Sequence, residues 1–348
     1  MEPDKSRPLL SPFSDEILGQ RIKEVLLSSH TCPHEMIVHI TSRNGKLIRP
    51  RLVYLSASFA ESDPDRVRDM AVAVELIHMA SLVHDDVIDG ASTRRGQDSI
   101  NGLWGNQAAV LLGDYLFAQA FHLINTYTLP AVMEIATETI KTMCMGEISQ
   151  MNMACQLQIK QEDYLQKIHG KTACLFAAAC KIGAITAALS PAQVKMLEKY
   201  GLCLGYAYQI IDDLLDYLAD PLLWNKVVGS DWQEGNVTLP LIALMQDKKY
   251  QQWLSDLFST RQLSPLQWQQ LIAALYSTGA VKYCLNTAEE YLQAAIRQLE
   301  HLPAVPALQQ LQSLADYLLN DYYHKLCKTE RQFAKDMVYY ADQSSLQA

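Results

Sequence analysis

The chain lacks most of what would place it in other broad classes. Its 348 residues contain no uncharged run of the ~20 residues a membrane span needs. The longest apolar stretches, Thr172–Cys180 and Ile182–Leu189, are separated by Lys181. The start, Met1-Glu-Pro-Asp-Lys followed by Pro8 and Pro12, lacks the basic and apolar regions of a signal peptide. There is no C-x-x-C: the eight cysteines, at 32, 144, 155, 174, 180, 203, 284 and 327, are scattered and are expected to be buried, reduced thiols. Basic residues are in deficit, 29 Lys plus Arg against 38 Asp plus Glu for a formal net charge of -9, which argues against broad affinity for nucleic acid or anionic membrane. No segment shows the β-branched alternation of a strand, and no break in composition divides the chain. What remains is a soluble, cytoplasmic, all-α body: one domain over 1–348, a large helical bundle with a loose arm at 1–14 and a polar tail at 325–348.

Ala, Leu, Met, Gln and Glu dominate, and Pro and Gly punctuate the chain at intervals suited to long helices. Helices are expected over Asp15–Ser29 and over Lys46–Ala60 after the Asn44-Gly45 turn. Asp63-Pro64 supplies an N-cap and a proline at the first helical position for a long helix. Further helices are expected at Gly105–Thr126, Ala131–Ala154, Glu162–Leu189 and Pro191–Tyr217, and the pattern is again helical after Pro240.

The helix opened by Pro64 ends in Asp85-Asp-Val-Ile-Asp89. At about 100° per residue, Val74, His78, Ser81, Leu82, Asp85 and Asp89 fall in one stripe, so an apolar face ends in carboxylates. Acids this close oppose one another's ionisation unless a cation sits among them, and a hard, oxygen-seeking ion such as Mg2+ removes that penalty. The pattern returns at Asp212-Asp-Leu-Leu-Asp216, where Leu202, Gly205, Gln209, Asp212, Asp213 and Asp216 share a face. One such cluster could equally be a solvated helix end, but two of the same form, each flanked by apolar sequence, point to a channel with a carboxylate rim.

Six cations stand at helix edges near these acids: Lys46, Arg49, Arg94, Arg95, Lys171 and Lys226. Such a set suits a polyanion bound both directly and through metal. Each has a plainer explanation: a solvated face for Lys46 and Arg49, a helix C-terminus for Arg94-Arg95, a helix start for Lys171-Thr172. His78 alone would be read as a hydrogen-bonded core histidine, but its stripe also holds Asp85 and Asp89.

These residues resemble the trans-isoprenyl diphosphate synthases, or polyprenyl synthetases. The first aspartate-rich motif resembles Leu82-Val-His-Asp-Asp-Val-Ile-Asp with Arg94-Arg95-Gly96, and the second Gly205-Tyr-Ala-Tyr-Gln-Ile-Ile-Asp-Asp-Leu-Leu-Asp216. Leu112-Gly-Asp-Tyr-Leu-Phe117, Gly170-Lys-Thr172 and Gly229–Pro240 also resemble family blocks in order and spacing, and the likeness spans Ile17 to Tyr323. The resemblance implies an isoprenoid synthase fold around a central apolar cavity. It implies Mg2+ held by Asp85 and Asp89 on one side, with Asp86 supporting, and by Asp212 and Asp216, beside Asp213, on the other. Arg94, Lys171, Thr172, Gln209 and Lys226 would hold an allylic diphosphate, and Lys46, Arg49, His78 and Arg95 isopentenyl diphosphate. Two departures stand out: Leu47 replaces the second cation of the usual Gly-Gly-Lys-Arg-x-Arg-Pro, and Asn236 replaces the lysine of Glu-Gly-Lys.

The implied reaction is ionisation of the allylic diphosphate and attack on the cation by isopentenyl diphosphate, with released pyrophosphate as base and no side-chain nucleophile. Small residues at Ala80 and Ser81, where short-chain members carry aromatics, imply a long channel and a hepta- or octaprenyl product for quinone side chains. The alternatives are a short-chain synthase or a terpene cyclase on the same scaffold, and a non-catalytic regulatory subunit of a heteromeric enzyme. The resemblance implies a homodimer, with a heterodimer as the other possibility.

Overall fold

In a computed structural model of the chain, residues 14–28, 33–42, 45–94, 96–153, 156–218 and 229–318 are described. The expectations for the arm and tail, Asn44, Arg95, Lys226, Cys32, Cys155 and Cys327 fall outside these residues.

Local sequence sets the helices. Asp63 caps α4 (Pro64–Ile88) through its side chain, with Pro64 in the first turn, as the sequence predicts. Helix α1 is Asp15–Leu26, a turn shorter than expected, and α2 (His34–Thr41) is a helix that periodicity did not isolate. Helix α3 begins at Ile48 rather than Lys46, because Leu47 adopts the left-handed conformation at φ 48°. Lys46 and Arg49 therefore do not share a helix face. Helix α5 (Ile100–Thr126) starts a turn and a half before the predicted Gly105: Ser99 caps it, and Gly105, at φ 83°, forms a kink within it. Between α4 and α5 lies a two-stranded ribbon, Thr93–Arg94 (β1) with Gln97–Asp98 (β2). This corrects the strand-free expectation and places Arg94 on a strand rather than at a helix end.

Helix α6 is Pro130–Met153. One continuous run then passes through α7 (Gln161–Ile168), a π-helical turn (His169–Ala173) and α8 (Cys174–Thr186). By length and composition this run could cross a membrane, yet 78% of its apolar window is buried inside the bundle, the environment of a core helix. After α9 (Pro191–Leu218) come α10 (Ser230–Glu234), α11 (Leu239–Leu244), α12 (Lys248–Ser259), α13 (Pro265–Ser277), α14 (Ala280–Leu299) and α15 (306–318).

Packing makes α8 the central strut. It lies against α3 and α4 on one side and α9 on the other, while α5 covers α4 and α14 covers α9. A single large apolar cluster runs from Leu18 to Leu318. Of the described cysteines, 174, 180 and 284 are buried free thiols as expected, whereas Cys144 is exposed.

Candidate active site

The predicted stripe on α4 changes character along its length. Val74 is buried in the core, His78, Ser81, Leu82 and Asp85 are half-buried, and Asp89, which caps the helix, is exposed. Asp86 turns inward, where it accepts a 2.6 Å hydrogen bond from Arg94 Nε. Arg94 can reach it because the ribbon folds back over the helix end, with Asn101 Nδ2 donating to the Asp86 and Ala91 carbonyls. Burial pushes the Asp85 carboxyl up to about 6, reinforced by Glu147 and Asp89 and opposed by Lys171 and Arg94.

The second rim is built differently. Asp213 is buried and accepts from Tyr164 Oη at 2.7 Å and from Gln209 Nε2 at 2.6 Å. Gln209 accepts in turn from Thr172 Oγ1 at 2.6 Å. Asp216 is 1% exposed and accepts from Ser230 Oγ at 2.8 Å and from the Asp231 backbone N–H at 3.0 Å. Asp212 is half-buried beside them. The Gly229–Thr238 loop thus crosses the end of α9. Gly235 closes its short helix at φ 78°, and a Cβ there would fall 1.6 Å from the Arg261 guanidinium.

Lys171 lies between the rims. Burial alone would lower it, but the fields of Glu147, Asp231, Asp85 and Asp89 together raise it above an ordinary lysine, so it remains charged. Glu234 completes the link: burial raises its carboxyl, and so do Asp89 of the first rim and Asp216 of the second. Acids of both clusters therefore lie within electrostatic reach of the same pair of side chains, Lys171 and Glu234. The π-helical turn positions this lysine, since Gly170 packs so closely on Gly146 of α6 that a Cβ on either would lie under 3 Å from the other's backbone. On the opposite side, Arg49 Nη1 meets His78 Nε2 at 3.0 Å and its guanidinium stacks 4.8 Å above Phe176, while Lys46 is exposed nearby in sequence.

The folded chain thus joins Asp85, Asp89, Lys171, Asp212, Asp213 and Asp216, pairs Thr172 with Gln209, pairs Arg49 with His78, and ties Arg94 to Asp86. Sequence reasoning missed Tyr164, Lys167, Glu147 and Asp231. Only Lys167 carried a signal, four residues before Lys171 on the same predicted helix.

Comparison with known proteins decides the family. The polyprenyl synthetase family model matches residues 30–275, more than half of the chain. The chain belongs to the polyprenyl synthetase family. Heptaprenyl diphosphate synthase component 2 of Bacillus subtilis is 34% identical over 303 residues, covering 87% of this chain and 86% of that protein. A decaprenyl diphosphate synthase from Rhodobacter capsulatus superposes with a TM-score of 0.83 at 33% identity, covering 88% of this chain and 96% of that one. A polyprenyl synthase from Caulobacter crescentus, complexed with calcium and isoprenyl diphosphate, gives a TM-score of 0.81 at 32% identity, with 88% and 94% covered. As a polyprenyl synthetase the chain is a prenyltransferase of the isoprenoid synthase fold, a trans-prenyl diphosphate synthase acting on prenyl diphosphates. The names of its relatives and structural neighbours range from geranylgeranyl to decaprenyl diphosphate synthase.

A divalent ion fits the polyprenyl synthetase site seen here. Its donors are hard carboxylate oxygens, and Asp85, raised by burial beside two other acids, is relieved by a cation. Among the described residues no three acidic, histidine or cysteine side chains converge into a cage of their own.

Proposed function

We propose that this enzyme elongates an allylic diphosphate by successive head-to-tail trans condensation with isopentenyl diphosphate, with Mg2+, in the cytoplasm, and releases a hepta- or octaprenyl diphosphate for quinone side chains. The observation that carries the reading is the pair of acid clusters at the ends of two apolar helices, acting between them on the charges of Lys171 and Glu234. Asp85 and Asp89, opposite Asp212 and Asp216, would hold Mg2+, and the ions would neutralise charge developing on the departing diphosphate. Lys171, Thr172, Gln209 and Arg94, with Lys226, orient the allylic diphosphate. Thr172 and Gln209 are held ready by their mutual hydrogen bond. Arg49, braced by His78 and Phe176, holds isopentenyl diphosphate together with Lys46 and Arg95, which brings its double bond close to the cation left in the apolar pocket. The apolar surroundings exclude water that would quench that cation.

The small residues one turn before Asp85 support the long product. Ala80 is fully buried, and Ser81 folds its hydroxyl back onto the His78 carbonyl at 2.9 Å, so neither projects as a bulky stop. An apolar face on α5 and α6 supports a second copy as partner: Leu103, Val110 and Leu111, with Met145, Ile148 and Met151, are all at least 42% exposed. A dissimilar partner is the second reading, favoured by the component 2 name of the Bacillus subtilis relative. Incubating the purified chain alone with Mg2+, farnesyl diphosphate and isopentenyl diphosphate tests both points. A heptaprenyl or octaprenyl product supports the reading. Arrest at geranylgeranyl refutes the product length, and no product without an added second protein favours the dissimilar partner.

A further inference from the structure

Lys167 is a buried cation that the reaction as described does not use. It is 6% exposed, its Nζ donates to the Val237 carbonyl at 3.2 Å, and its ammonium lies 5.8 Å from the centre of the Tyr164 ring. The acids that act on it most strongly are Asp213 of α9 and Asp231 of the crossing loop. Tyr164, on the same helix, holds Asp213 directly. The loop itself, Gly229–Thr238, carries Asp231 and Glu234 but no lysine or arginine. Its Asn236 is 6% exposed, directly precedes Val237, and spends its amide on Glu234 at 2.9 Å. Asp213 is buried and Asp231 half-buried, and two acids held this close oppose one another's ionisation unless a cation shares the space; from α7 that cation is Lys167.

We propose that Lys167 is a positioning residue which supplies, from a different helix, the positive charge the loop lacks at Asn236, and so fixes the loop over the allylic-diphosphate side of the site. The proposal rests on the prenyltransferase reading above. Lys167 acts through Asp213, Asp231 and the Val237 carbonyl, not by touching substrate. A lysine at position 236 would bring a cation into the same space from the loop side.

The test compares K167M, K167R and the double variant K167M/N236K. Steady-state kinetics with Mg2+ should give K167M a KM for farnesyl diphosphate raised about tenfold or more, the scale of losing an outer-shell partner. Its KM for isopentenyl diphosphate should stay within about twofold. The double variant should recover to within about threefold of the parent, with K167R in between. Equal loss for both substrates, or a double variant that folds with the parent's unfolding midpoint yet recovers nothing, overturns the proposal. Calorimetric titration of pyrophosphate in the presence of Mg2+ separates this from the function itself. A parent chain that binds pyrophosphate but forms no product refutes the catalytic reading alone, whereas K167M binding pyrophosphate as the parent does refutes the role of Lys167 alone.

Discussion

The two aspartate clusters share one sequence pattern and occupy opposite physical situations. At the end of α4, Asp89 is exposed, Asp85 is half-buried with its carboxyl pushed up to about 6, and only Asp86 is locked, by Arg94. At the end of α9, Asp213 and Asp216 are buried and already accept hydrogen bonds from Tyr164, Gln209, Ser230 and the Asp231 backbone. The second rim is preorganised by the protein, whereas in the first the Asp85 carboxyl is disfavoured in its charged form by burial. A repeated motif therefore does not mean a repeated setting: one cluster is built into the scaffold by its hydrogen bonds, while the other is tied down at Asp86.

Mutation can break this contrast or sharpen it. The largest effect should come from Asp216→Ala, which removes a proposed metal ligand and releases Ser230 and Asp231 together. We expect kcat/KM to fall by about 10³-fold and the unfolding midpoint to drop as well. Asp89→Ala should cost about 10²-fold in kcat/KM while leaving the midpoint unchanged, because the side chain is exposed and supports no packing. If the midpoint falls equally in the two variants, the distinction between the rims is wrong. Gly235→Ala should destabilise by about 1–2 kcal/mol from the left-handed backbone alone, with a further penalty because Arg261 must move; chemical denaturation would measure it. The smallest effect concerns pH. Without divalent ions, Asp85 is a carboxylate whose folded pKa lies above its unfolded value, so it costs stability once ionised and that cost disappears as pH falls from about 6 towards 3.8. Asp85→Asn should therefore melt at a higher temperature than the parent at neutral pH, with the difference closing through that window. A difference that is constant with pH would show that Asp85 is not strained by burial.

The legible parts of the fold were those whose signals are local. Asp63-Pro64 announced α4, and the two acid clusters announced themselves by repetition at the ends of apolar segments. Arg94 was misplaced because its ribbon has two residues per strand, too few for any alternation to register. The sequence places the start of α5 at Gly105, whereas Ser99 supplies the actual cap and Gly105 only a kink. The π-helical turn at His169–Ala173 leaves composition unchanged and shifts only the phase of one long helix, so it is invisible to periodicity. Glu147 gains meaning only through partners far away in the chain, which no spacing rule connects, and Lys167, marked by its spacing from Lys171, gains its acidic partners the same way. Asn236, by contrast, was visible at once as a missing lysine, and the folded chain places another lysine within reach of the next residue's carbonyl.

The central claim is that the two rims grip divalent ions from opposite sides of one diphosphate. Crystals grown with Mn2+ in place of Mg2+ and a non-hydrolysable allylic diphosphate analogue test it most directly, through anomalous scattering from the metal. The account predicts anomalous peaks beside Asp85 and Asp89 and beside Asp212 or Asp216, with the diphosphate between them and next to Lys171. Peaks confined to one rim, or a diphosphate bound away from both, would contradict it.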